Sequence, residues 1–123
     1  MSKVLIVEDN PVNRELLREI LEICQYEVEE ASDGPEALEK INQTKPEVVL
    51  LDINMPGMDG YAVLGQIRQN PAFRHLPVLA VTAYAMKGDR EKILGAGFNG
   101  YLSKPIDSGQ LLIELRRFEL ARN

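Results

Sequence analysis

The sequence alternates five times between a short apolar segment and a segment whose apolar residues have helical spacing. The predicted strands are 3–7, 26–31, 47–52, 77–83 and 100–105, and the predicted helices are 10–24, 34–44, 60–70, 85–97 and 107–122. The first and third strands are apolar at nearly every position, as strands buried on both faces are. Short links join the segments, so the pattern predicts one α/β domain, residues 1–123, with helices on both faces of a parallel sheet.

The first predicted helix has an expected core face of five apolar residues at helical spacing: Val12, Leu16, Leu17, Ile20 and Cys24. Asn10 is expected to cap this helix, and Pro11 suits its first position. Cys24 is the only cysteine, so no intramolecular disulfide can form, and its position predicts a small core residue.

Charge and composition argue against several classes of function. The chain carries 19 acidic and 14 basic residues, a net charge of −5, and has no cluster of lysine and arginine, which disfavours nucleic-acid binding. No signal peptide or membrane-spanning run is recognisable, so a cytoplasmic protein is expected. The first strand–helix turn, VEDNP, lacks a Gly-x-Gly-x-x-Gly pattern, and nothing matches a Walker A loop, which argues against a nucleotide site.

Three acidic residues follow or end predicted strands. Glu8 and Asp9 follow the first strand, and Asp52 ends the third. Ligands of open α/β sheets bind beyond the carboxyl ends of the strands, so the acids would converge if these strands are neighbours. Such a cluster needs a cation or raised pKa values. Oxygen ligands without histidine or cysteine favour a hard ion, and Mg²⁺ is the common choice.

The later strand ends add a hydroxyl, Thr82, and a cation, Lys104. A carboxylate nucleophile, a divalent ion, a hydroxyl and a lysine suit phosphoryl transfer, with Asp52 as the acceptor. Structural alternatives exist for each residue: Glu8 and Asp9 could cap a helix, Asp52 could form an Asx turn and Lys104 could be solvated. Asp59, in GMDG, fits the turn-forming role better.

Four segments carry a family resemblance, LIVEDN, LLDINMPGMDG, VTAYA and YLSKPI. Their order and spacing resemble the response-regulator receiver domain of the CheY-like superfamily, over the whole chain. The resemblance implies a flavodoxin-like (βα)5 fold with strand order 2-1-3-4-5. It also implies phosphorylation of Asp52, Mg²⁺ ligation by Asp9, Asp52 and the backbone carbonyl of Asn54, and a role of Glu8 largely through water. Asn54 and Tyr84 would tune the loss of phosphate.

The same resemblance assigns roles near the end of the chain. Thr82 and Lys104 would bind the phosphoryl oxygens, Tyr101 would be an aromatic switch residue coupled to Thr82, and the bond before Pro105 would be cis. Tyr101 could instead be ordinary sheet packing.

Receiver domains take phosphate from a sensor histidine kinase or a histidine phosphotransfer protein, so such a partner is expected, together with a downstream protein target. The fourth helix, fifth strand and fifth helix would form the switched surface. The resemblance implies a phosphoacceptor that assists its own phosphorylation and dephosphorylation rather than an enzyme, as a monomer or phosphorylation-dependent dimer. A free-standing domain is expected; a receiver of a hybrid kinase or longer regulator is the alternative.

Two rival functions are weaker. A Mg²⁺-dependent phosphatase that forms an aspartyl phosphate needs a second aspartate two residues after the nucleophile, where this chain has Asn54. A receiver-like binding module that is not phosphorylated usually lacks one of the acids or the lysine, and this chain has all of them.

Overall fold

The computed structural model describes residues 3–83 and 87–122 of the 123-residue chain. The strands are β1 (Lys3–Val7), β2 (Glu27–Ala31), β3 (Val48–Asp52), β4 (Val78–Thr82) and β5 (Gly100–Ser103). The helices are α1 (Pro11–Ile23), α2 (Gly34–Thr44), α3 (Gly60–Gln69), α4 (Lys87–Gly95) and α5 (Ser108–Arg122). The start of the fourth predicted helix, residues 85–86, lies outside the described residues.

The five strands form one parallel sheet in the order β2-β1-β3-β4-β5. This confirms the expected flavodoxin-like fold. In the central strands Val7 pairs with Leu51, and Asp52 pairs with Val81. The carboxyl ends of β1, β3 and β4 therefore lie side by side at one edge of the sheet.

Each face of the sheet has its own hydrophobic core, because successive strand residues point to opposite faces. Leu5, Val7, Val49 and Leu51 pack with α2, α3 and α4 in one core, whereas Val4, Ile6, Leu50 and Val81 pack with α1 and α5 in the other. Two residues of α1, Leu17 and Leu21, are buried in the second core. The sheet is thus fixed from both sides, which holds its carboxyl edge in place.

The expected core face of α1 was partly wrong. Leu17 is buried as expected, but Val12 is 73% exposed and Leu16 is 47% exposed. Cys24, expected in the core, is exposed at the C-terminal end of the helix. The buried positions lie four residues apart, at Leu17 and Leu21, and Ile20 is half-buried against the same core. The helix therefore turns Val12 and Leu16 toward solvent.

Helix α3 begins directly below the end of β3. Asp59 caps it by accepting a hydrogen bond from the amide of Ala62, which confirms Asp59 as a structural acid. At Gly60 an added Cβ would lie 2.7 Å from the Cα of Ile53 and 2.8 Å from the carbonyl oxygen of Asp52. Only glycine lets the helix approach the end of β3 this closely.

Strand β2 forms one edge of the sheet, as its alternating pattern predicts. It carries three glutamates among its five residues, Glu27, Glu29 and Glu30. Within the described residues, none of the helices combines the length and the apolar character needed to cross a bilayer.

Candidate functional site

The carboxyl edge of the sheet brings polar residues from four strands together. Glu8 and Asp9 follow β1, Asp52 ends β3 and Thr82 ends β4, while Lys104 follows β5. The backbone amide of Lys104 donates to the carbonyl oxygen of Thr82 at 2.8 Å, which fixes the start of the β5–α5 loop against β4. The site is therefore built on the sheet rather than on a free loop.

Asp52 is a buried carboxylate with a partner on each oxygen. The side chain is 2% exposed. Its Oδ1 accepts a hydrogen bond from the backbone amide of Asn54 at 3.0 Å, and its Oδ2 accepts one from Lys104 Nζ at 3.1 Å. Buried charges persist when they are paired and hydrogen-bonded in this way. These contacts fix the orientation of the carboxylate at the end of β3.

Glu8 is as deeply buried as Asp52. Its Oε2 accepts a hydrogen bond from the backbone amide of Asn10 at 3.3 Å. Its Oε1 lies 3.0 Å from Lys104 Nζ, an ion-pair distance, but makes no well-oriented hydrogen bond with any described residue. Burial, followed by contact with Asp52, raises the pKa of Glu8 to about 7, although Lys104 opposes the rise. The charged form of Glu8 is thus only partly compensated by Lys104.

Lys104 is the cation at the centre of the acids. Its Nζ contacts both Glu8 and Asp52. Burial alone would lower the pKa of Lys104, but close contact with the carboxylates of Glu8 and Asp52 and their negative charges raise it above its ordinary value. The ammonium group is therefore held in its charged form, next to the oxygens of Asp52.

The third acid, Asp9, is exposed at the rim of the site. Glu8, Asp9 and Asp52 each offer one carboxylate oxygen, and these three oxygens lie within 4.8 Å of one another. Carboxylate oxygens this close together suit a hard divalent cation that keeps part of its water shell, and Glu8 also has an oxygen, Oε1, without a well-oriented hydrogen bond. The donor set therefore fits Mg²⁺.

The remaining expected site residues lie around this group. Thr82 is buried at 2% exposure, one residue beyond the Asp52 partner in the sheet register. Tyr101 is half-buried against the core under α4, with the guanidinium carbon of Arg90 at 5.9 Å from its ring centre. The Lys104–Pro105 peptide bond is cis. Tyr84 lies outside the described residues.

A family model described as the response regulator receiver domain matches residues 4–116. The chain belongs to this receiver domain family. The strand order described above is thus that of a receiver domain, and the match runs from the second residue of β1 through β5.

Relatives of this receiver domain are similar over nearly their full length. DivK, a polar-differentiation response regulator of Brucella anthropi, is 38% identical over 117 residues, which cover 95% of each chain. The chemotaxis response regulator CheY4 of Vibrio cholerae has a TM-score of 0.89 at 33% identity, covering 96% of this chain and 98% of that chain. The receiver domain of a sensor histidine kinase of Pseudomonas aeruginosa, solved with a magnesium ion coordinated in its active-site cleft, has a TM-score of 0.87 at 37% identity, covering 95% and 96%.

Arg14 contacts the acidic loop of this receiver domain from outside and was not among the expected site residues. Arg14 of α1 donates from Nη1 to the carbonyl oxygen of Glu8 at 2.8 Å, and its Nε lies 3.6 Å from Glu30 of β2. An arginine one turn after the helix cap was a visible signal. Its partner Glu30 on strand β2 was not, because fifteen residues lie between the two in the chain.

Proposed function

We propose that this receiver domain, residues 1–123, is a phosphorelay response regulator that accepts a phosphoryl group on Asp52. Mg²⁺ would be held by Glu8, Asp9, Asp52 and the backbone carbonyl of Asn54. The observation that carries the proposal is a buried carboxylate, contacted by a lysine, whose oxygen lies within 4.8 Å of two further carboxylate oxygens. This arrangement suits phosphoryl transfer to a carboxylate, the reaction by which receiver domains act in two-component signalling.

Asp52 is the nucleophile in this reaction. One of its carboxylate oxygens attacks the phosphorus of a phosphohistidine, so that a P–O bond forms as the P–N bond breaks. The imidazole nitrogen of the donor keeps the electron pair and leaves. Bound Mg²⁺ would neutralise negative charge on the phosphoryl oxygens.

Lys104 and Thr82 complete the site from the neighbouring strands. The phosphorylated side chain carries about −1.5 to −2 charges in place of the single charge of the Asp52 carboxylate, and it supplies three new acceptor oxygens. Lys104 Nζ, already 3.1 Å from Asp52 Oδ2, can follow those oxygens with little movement. Thr82 would donate its hydroxyl to one of them. Asn54 and Tyr84, two residues after Asp52 and Thr82, would tune the later hydrolysis.

An apolar surface beside the acids suits a protein donor. Leu16 of α1 and the loop residues Pro105 and Ile106 line a small cavity of about 70 Å³ that also touches Glu8 and Lys104. Val12, one helical turn before Leu16, extends this surface at 73% exposure. A phosphohistidine-bearing partner, either a sensor histidine kinase or a histidine phosphotransfer protein, could bury these side chains while its imidazole faces Asp52.

Tyr101 and α4 would carry the signal away from the site. Arg90 of α4 stacks over the Tyr101 ring, and Ile93 is the buried apolar residue that ties this helix to the core. When Thr82 moves toward the phosphoryl group, Tyr101 would turn inward. The surface formed by α4, β5 and α5 would then change its affinity for a downstream protein target.

DivK, as its name states, is a polar-differentiation response regulator, and the Pseudomonas relative is the receiver of a sensor kinase. Both likenesses favour a phosphoacceptor, free-standing or within a longer regulator, over an enzyme with its own substrate, and the proposed location is the cytoplasm. The phosphorylated form would act as a monomer or as a phosphorylation-dependent dimer.

The test is phosphorylation in vitro. The parent protein and Asp52→Asn are incubated with Mg²⁺ and either acetyl phosphate or a phosphorylated histidine phosphotransfer protein, then run on a phosphate-affinity gel. A slower band in the parent, absent in Asp52→Asn and after chelation of Mg²⁺, is expected. A parent without a shifted band would favour the binding module, and turnover of a generic phosphate ester would favour the phosphatase.

A further inference from the structure

Arg14 holds the loop that carries two of the three acids. Its backbone amide donates to the carbonyl oxygen of Asn10 at 3.0 Å, and its side-chain Nη1 donates to the carbonyl oxygen of Glu8 at 2.8 Å. These two bonds span the loop from its first residue to the cap of α1. The Glu8 carbonyl belongs to the peptide unit from which Asp9 departs, so Arg14 fixes the plane of that peptide.

Arg14 is itself anchored to the sheet. Its Nε lies 3.6 Å from Glu30 Oε1, and Glu30 also pairs with Arg18 one turn further along α1. The Glu8 amide in turn donates to the carbonyl oxygen of Ala31, directly after Glu30 in β2. The loop is therefore connected twice to β2, once through its backbone and once through the Arg14–Glu30 pair.

The exposed acid, Asp9, depends most on this arrangement. In the described parts of the chain, no hydrogen bond or ion pair holds the Asp9 side chain. Its position therefore follows from the backbone of the loop. Glu8, by contrast, has direct contacts through both carboxylate oxygens, to the Asn10 amide and to Lys104.

We propose that Arg14, braced by Glu30, is a positioning residue that presents Asp9 and Glu8 to the divalent cation. The inference rests on the proposed function, because it assigns Arg14 to the same metal site. Arg14 acts through the geometry of the Glu8–Asp9 peptide and contacts neither the phosphoryl group nor the cation. Outer contacts that orient metal ligands typically change metal affinity by 10–100-fold when they are removed.

Arg18 provides a matched control on the same helix. It is half-buried and pairs with Glu30 and with Glu22, and within the described residues no hydrogen bond or ion pair joins it to the acidic loop. Arg14→Ala and Arg18→Ala therefore remove the same charge and one Glu30 contact each. Only the first also removes the hydrogen bond to the Glu8 carbonyl.

The experiment measures Mg²⁺ affinity by calorimetric titration of the phosphate-free protein. Arg14→Ala is expected to bind Mg²⁺ about tenfold more weakly than the parent, whereas Arg18→Ala should change the affinity by about twofold or less. Arg14→Lys, which keeps the charge but cannot hold Glu8 and Glu30 together, should fall between them. Glu30→Gln should give a smaller loss in the same direction and serves if Arg14→Ala does not fold.

A kinetic readout separates positioning from general damage. In Arg14→Ala the Mg²⁺ concentration for half-maximal phosphorylation by acetyl phosphate should rise, while the rate at saturating Mg²⁺ stays near that of the parent. Equal affinities in the parent and Arg14→Ala, or equal losses in Arg14→Ala and Arg18→Ala, would overturn the positioning role alone. A parent that neither binds Mg²⁺ nor accepts phosphate would overturn the proposed function and this inference with it.

Discussion

Replacing Glu8 by glutamine should stabilise the Mg²⁺-free protein, by an amount that increases with pH. Glu8 is 1% exposed, and burial together with Asp52 raises its pKa from 4.5 to about 7. Its charged form is therefore unfavourable in the folded protein. Glutamine has nearly the same shape and stays neutral, so Glu8→Gln mimics the protonated side chain at every pH.

The sign follows from proton binding. Between pH 4.5 and 7 the folded protein keeps the Glu8 proton while the unfolded chain has released it, so stability falls as pH rises through this window. At about 1.4 kcal/mol for each unit of pKa, the cost approaches about 3 kcal/mol above pH 7. Glu8→Gln does not incur this cost. Its free energy of unfolding should therefore exceed that of the parent by roughly 1.5 kcal/mol at pH 5.5 and by roughly 3 kcal/mol at pH 8.

Urea unfolding followed by far-UV circular dichroism, in EDTA at several pH values, measures this difference; the chain has no tryptophan for fluorescence. Asp9→Asn is the control. Asp9 is exposed, so its charge is screened by water and its removal should change stability by less than about 1 kcal/mol. The same gain for Glu8→Gln at pH 5.5 and pH 8, or a loss at pH 8, would refute the reasoning.

Two further pairs of variants test the packing. Gly60→Ala should destabilise the fold by about 1–3 kcal/mol, because the new Cβ would lie 2.7 Å from the backbone of Ile53. Gly65→Ala should stabilise the fold by about 0.5–1 kcal/mol, because no atom lies within 4 Å of its new Cβ and alanine favours the helix. Urea midpoints that move in the same direction would contradict this. Leu21→Ala should lower the free energy of unfolding by about 2–5 kcal/mol and Tm by roughly 10 °C. Leu16→Ala should lower the free energy of unfolding by less than about 1 kcal/mol. Equal decreases in Tm for the two variants would be inconsistent with the observed buried face of α1.

The sheet could be predicted from the sequence because its central strands are continuous apolar runs. KVLIV and VVLLD lie within a residue of their expected bounds; the first is followed by Glu8 and the second ends in Asp52. The strand order came from the family resemblance. Asp9 and Asp52 lie close together because of that order, although 42 residues separate them in the chain.

The face of α1 could not be chosen from periodicity alone. Its apolar residues form two stripes, one with Val12, Leu16 and Ile23 and one with Leu17 and Leu21, and both have helical spacing. The sheet selects the second stripe, which meets α5 in the core. Helical spacing shows that a helix is amphipathic, but when two stripes compete only packing decides which is buried.

The glutamates of β2 oppose edge-to-edge pairing between copies of the protein. An uncovered edge strand offers unpaired backbone groups to any other strand that arrives. Here Glu27 and Glu29 would bring like charges together whenever two identical edges approached, so strand addition between copies is opposed by repulsion. Pairing of two β2 edges should therefore be disfavoured, and this edge should resist fibrillar self-assembly at the high concentrations that titration and NMR require.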